Sequence, residues 1–136
     1  MNGKRIFIDS NIFLNLFGAD KKKKLFASSL QYQTHIISTQ VVNENVNVCV
    51  RKLKLSKGEA FAHGQYLMDN FLLSQISRAT IESAFDISNK YDYSFWDSLI
   101  ISSAIENGCD TLYSEDMPHE QIIEKKLKIV NPFANT

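Results

Sequence analysis

At 136 residues, with 44% hydrophobic and 22% charged side chains, the chain has the make-up of one globular domain with a real core. Lysine plus arginine equals aspartate plus glutamate at 15 each, which excludes binding by bulk charge and leaves any nucleic-acid contact to local patches. No apolar run approaches the ~18–20 residues that cross a bilayer, and no secretory segment opens the chain, so a cytoplasmic protein without a membrane partner is expected.

In chain order, RIFI (Arg5 to Ile8) reads as a buried strand, followed by helical spacing in IFLNLF and KKKKLFASSLQYQ. HIIS (His35 to Ser38) is the second strand. The helix TQVVNENVNVCVRKL follows, with Val42, Val46, Cys49 and Leu53 on one face. GEAFAHGQYLMDN is a helix candidate weakened by Gly64, and FLLSQI (Phe71 to Ile76) is a weak strand. RATIESAFDISNKY and SFWDSLIISSAIENG are helical, the second with Trp96, Leu99, Ile100, Ala104 and Ile105 near helical spacing and Gly108 as its stop. TLYS (Thr111 to Ser114) and KIVN (Lys128 to Asn131) close the set of strands. Short apolar strands alternating with helices predict an α/β fold with a mainly parallel sheet, formed by residues 1–136 as a single domain.

Four acids stand at one predicted edge of that sheet. Asp9 directly follows RIFI, and Asp116 lies just past TLYS. Glu44 and Asp97 fall in the first turns of helices that leave the carboxyl ends of strands, where ligand sites form in such sheets. Each also has a structural role open to it. Asp9 and Asp116 suit a helix cap or turn, Glu44 a solvated helix face, and Asp97 a capping box with Ser94. Glu115 competes with Asp116 for the last position. Crowded carboxylates repel one another, and a divalent cation removes that penalty. Oxygen-only ligands favour Mg2+ or Mn2+, and such a site suits attack on a phosphodiester.

The remaining candidates point elsewhere. Cys49 and Cys109 lie in no C-x-x-C pair and beside no histidine, so buried free thiols are expected rather than a zinc site. His35, His63 and His119 are scattered and form no triad by spacing. Lys21 to Lys24, and Arg51, Lys52 and Lys54, read as solvated charge, although either group would reach phosphates. Trp96 and Phe95, at helical spacing, are assigned to the core. The D-x-D pattern of haloacid dehalogenase phosphatases is absent, because Asn11 holds the second position, and no Gly-rich phosphate loop occurs.

FIDSNIFLNLF, ISTQVVNEN, YSFWDSLIISSAIENGCDTLYSEDM and KIVNPF, in this order and at these separations, resemble PIN-domain proteins of the VapC-type ribonuclease toxin group. The resemblance implies a three-layer sandwich with a five-stranded, mainly parallel sheet in order 3-2-1-4-5 flanked by helices. It implies that Asp9, Glu44, Asp97 and Asp116 are the catalytic, metal-binding acids, with Asp116 rather than Glu115 as the fourth. Asn11 and Ser114 would support them. It further implies cleavage of RNA with Mg2+ or Mn2+, a homodimer, and an antitoxin protein as partner. The alternative is a PIN-like nucleic-acid-binding module without catalysis.

Overall fold

The computed structural model of the chain describes residues 4–134. The ends of the expected 1–136 span, residues 1–3 and 135–136, lie outside the described residues. The strands are β1 (Ile6–Ile8), β2 (Ile36–Ser38), β3 (Leu72–Ser74), β4 (Thr111–Tyr113), β5 (Ile122–Ile123) and β6 (Leu127–Val130). The helices are α1 (Ser10–Leu14), α2 (Lys21–Ser29), α3 (Thr39–Arg51), α4 (Lys57–Asn70), α5 (Arg78–Tyr91) and α6 (Phe95–Glu106). Single 3-10 turns at Asn15–Phe17 and Leu30–Tyr32 finish α1 and α2.

The sheet runs β3-β2-β1-β4-β6-β5. Its first five strands are parallel and have the expected order, with β6 in the fifth place. The strand count is six rather than five, because β5 pairs antiparallel with β6 at the edge. This strand is only two residues long, and Glu124 and Lys125, both at positive φ, turn the chain back into β6. Such paired left-handed positions are the geometry of tight hairpins. Neither residue is an asparagine or glycine, so the turn carries no sequence signal.

β1 and β2 are buried on both faces, which explains their unbroken apolar spelling. β3 lies at the edge, with Leu72 and Leu73 exposed. Phe7 aligns with Ile36 on one side and Leu112 on the other, and Leu112 with Ile129, giving a row of side chains through the sheet centre. Ser98 to Ala104 of α6 are all buried, so this helix is a core element covered on every side along that stretch. Gly108, at φ +70, ends the turn after it as expected. Cys49 and Cys109 are buried free thiols, also as expected.

Two expectations need correction. Leu53 lies past the end of α3 and is exposed, because the helix stops at Arg51 and Lys54 takes a left-handed conformation. Trp96 is 62% exposed rather than buried, and Phe95 is half-buried. Both stand in the first turn of α6, before the stretch that enters the core. The lysine run behaves as solvated charge at Lys21, Lys22 and Lys24, while Lys23 is half-buried against Glu115.

Gly64, the weak point of the α4 pattern, is explained by a close approach of α3. A Cβ at Gly64 would stand 2.8 Å from Val46 Cγ2. Valine is stiff at χ1 and cannot step aside cheaply. Gly64→Ala is therefore expected to destabilise the fold by about 1–3 kcal/mol despite alanine's better helix propensity. Thermal unfolding of Gly64→Ala, and of the double variant with Val46→Ala that reopens the space, checks this; the second change should recover most of the loss.

Candidate active site

The site begins where β1 ends. Asp9 still belongs to the sheet through its backbone, with its N–H donating to the Tyr113 carbonyl at 2.9 Å. Its extended φ and ψ then turn the chain directly into α1. Its side chain answers the question posed by an acid between apolar residues. Oδ1 accepts the Ser10 backbone N–H at 2.7 Å, and Oδ2 accepts the Ser114 hydroxyl at 2.9 Å. Asp9 is thus both helix cap and buried carboxylate.

Three further acids face the same cleft. Glu44, one turn into α3, accepts the Ser10 hydroxyl on Oε1. The Gln40 amide donates to Glu44 Oε2 at 3.4 Å and to the Trp96 carbonyl at 3.1 Å, tying α3 to the start of α6. Asp97 sits in the first turn of α6, where its backbone N–H is capped by the Ser94 hydroxyl at 3.1 Å. The Asp116 backbone N–H donates to Ser114 Oγ at 3.3 Å, so one serine anchors both Asp9 and the last acid. Asp9, Glu44, Asp97 and Asp116 line a single cleft of about 340 Å³, together with Ser10, Asn11 and Gln40.

Asn11 lines this cleft, and its side-chain Oδ1 accepts the Glu115 backbone N–H at 3.3 Å, fixing the loop that carries Asp116. Ser114 is fully buried and acts through Asp9. Glu115 turns away from the cleft lining, accepting the Asn15 amide and pairing with Lys23 at 2.9 Å. Sequence reasoning missed Ser10 and Gln40. The serine between Asp9 and Asn11, and a glutamine four residues before Glu44 on one helix face, were the available signals. His63 is engaged elsewhere, with Nε2 2.9 Å from Asn45 Oδ1.

The electrostatics follow from burial and crowding. Burial pushes the Asp9 carboxyl up to about 7, against the pull of the Ser114 hydroxyl and the Ser10 N–H, with Glu44 and Asp97 pushing the same way as burial. Asp97 is also raised, first by burial, then by Asp116 and Glu44, with Ser94 opposing. Among the described residues, no three His, Cys, Asp or Glu side chains are drawn close enough to grip one ion by themselves. The donors around the cleft are nonetheless all oxygen, and their mutual repulsion is of the kind a cation relieves. This fits a hydrated Mg2+ or Mn2+, which keeps several waters and needs only one or two direct carboxylates.

A raised native pKa means that the folded state binds its proton more tightly than the unfolded chain. Stability contributed by protonated Asp9 is then full at low pH and lost as pH rises from 3.8 towards about 7. Above that window the charge costs the cation-free fold a few kcal/mol, by order of magnitude. Asp9→Asn keeps an oxygen for the Ser10 N–H and removes the charge. Its melting temperature in EDTA should exceed the parent's at pH 8, and the gap should shrink towards pH 5.

A family model described as PIN domain matches residues 6–124. Among solved structures, a toxin–antitoxin complex from Klebsiella pneumoniae is similar at TM-score 0.70 and 18% identity, covering 94% of this chain and 98% of that one. A DNA-bound VapBC from Salmonella typhimurium is similar at TM-score 0.69 and 10% identity, covering 93% and 97%. VapC20 of Mycobacterium tuberculosis, a sarcin-ricin loop cleaving toxin, is similar at TM-score 0.66 and 18% identity, covering 82% and 89%. At these identities the likeness is one of fold. The comparison with curated proteins finds no match. The family match runs from β1 to the turn after β5 and takes in all four acids of the cleft; this chain belongs to the PIN-domain family.

Proposed function

We propose that the chain is a Mg2+- or Mn2+-dependent endoribonuclease and the toxin of a toxin–antitoxin pair. The observation that carries this reading is one cleft lined by Asp9, Glu44, Asp97 and Asp116, delivered from four separate parts of the chain. The similar structures support it: one is a sarcin-ricin loop cleaving toxin, and others are toxin–antitoxin or VapBC complexes. By the same analogy an antitoxin protein, a homodimer and a cytoplasmic setting are proposed.

Asp9 and Asp97 are the residues that would hold the ion, with Glu44 and Asp116 completing its surroundings. The chemistry the ion supplies when bound is charge neutralisation at the reacting phosphodiester and a more acidic attacking water. The protein's own part is positioning. Ser114 and the Ser10 N–H fix both oxygens of Asp9. The Ser10 hydroxyl and the Gln40 amide fix Glu44, leaving its lone pairs to orient water. Asp116, exposed at the rim of the same cleft, would help position that water from the solvent side.

Purified protein is tested on a mixed cellular RNA pool with Mg2+, Mn2+ or EDTA. Cleavage is expected with either metal and none with EDTA. Asp97→Asn should lose at least a hundredfold while melting as a folded protein. Cleavage by that variant at the parental rate would remove Asp97 from the site. The neighbouring acids provide a second check: Asp116→Asn should lose activity, whereas Glu115→Gln, which changes a group already held by Asn15 and Lys23, should retain it.

A further inference from the structure

A second concavity, of about 400 Å³, adjoins the acid cleft and shares Gln40 and Glu44 with it. Its wall is carbon-rich, built from Ile76, Ile81, Leu99, Phe95 and Trp96. No lysine or arginine lines it. Trp96 is 62% exposed there, although the rest of its helix from Ser98 to Ala104 is buried. The ring has an aromatic neighbour. Phe95 packs against it with ring centroids 5.4 Å apart, and Phe85 packs on Phe95 at 5.7 Å. The Trp96 carbonyl is fixed by the Gln40 amide that also holds Glu44, and Asp97 is the next residue. An exposed indole thus stands on the turn that carries Asp97, with its backbone tied to the side chain that orients Glu44.

We infer that this groove binds one unpaired nucleobase of the RNA, stacked on Trp96, beside the phosphodiester presented to the acids. The inference rests on the nuclease reading of the adjoining cleft and adds to it a groove for a base, which requires an unpaired nucleotide at that point. A wall without cations does not select phosphate, so the backbone belongs in the cleft and the base in the groove. The occupant follows from continuity with the cleft and from size: the volume suits one planar ring with its ribose, not a folded partner. Four carboxylates repel an RNA backbone, so affinity needs a contribution that does not depend on charge. Stacking on an aromatic supplies it and tolerates any base. Asn43 on the rim offers an amide to the base edge. Duplex RNA keeps its bases stacked within the helix and is excluded.

Trp96 is the only tryptophan in the sequence, so its fluorescence reports on the groove alone. A single-stranded eight-nucleotide RNA is titrated in Ca2+, which bridges carboxylates and phosphates without the compact octahedron of Mg2+. Saturable quenching is expected, and none with a duplex of the same sequence. Trp96→Ala, read by anisotropy of labelled RNA, should bind roughly 5- to 150-fold more weakly, the loss of one stacked base. Trp96→Phe should restore most of that, and both variants should melt like the parent. If the parent cleaves RNA yet shows no quenching, and Trp96→Ala binds normally, the base site falls while the nuclease stands. Quenching without cleavage under any metal retains the base site and sinks the nuclease. Equal quenching by duplex, or quenching only by an added protein segment, overturns the inference.

Discussion

The organisation of this molecule depends on a carboxylate kept at the end of a buried strand. Asp9 is 6% exposed, a position where an unpaired charge is costly. The fold compensates with two hydrogen bonds, one from the first N–H of α1 and one from a serine at the end of β4. The first makes Asp9 the residue at which strand becomes helix. The second requires β4 to lie beside β1, which the parallel register of these strands provides. Sheet topology and the position of the acid are therefore one constraint seen twice.

From that point the cleft is assembled by short polar links between elements. Ser10 connects the turn after β1 to Glu44 on α3. Gln40 connects α3 to the first turn of α6, where Asp97 and Trp96 lie. Ser114 and Asn11 hold the loop that carries Asp116. Each link is a single hydrogen bond, worth little alone, but together they fix four elements around one concavity. The exposed indole of Trp96 belongs to the same assembly, because its backbone is pinned by the group that orients Glu44.

Much of this was legible in the sequence. Strands buried on both faces spell themselves as unbroken apolar runs, and acids at their carboxyl ends stand out against them. That is why β1, β2, β4 and β6, and the four acids, were readable. Some expectations failed where tertiary context overrides local pattern. Helical spacing cannot tell which turn of a helix lies beyond the edge of the core, so it points Trp96 inward although the residue is exposed. A two-residue edge strand such as β5 has too few residues for any period to register. Links made by Ser10 and Gln40 join residues distant in the chain and leave only weak local traces. Glu115 and Asp116 differ only in direction, and the structure separates them by giving Glu115 to Lys23 and Asn15.

Mn2+ binding followed by electron paramagnetic resonance would show whether the cleft around Asp9 takes a divalent cation. Saturable binding is expected at pH 8, weakening as pH falls through about 7, where Asp9 takes up its proton. Asp9→Asn and Asp97→Asn should each lose that binding while remaining folded. Saturable binding that ignores both substitutions, or no saturable binding by the folded parent, would rule out a cation site at these acids.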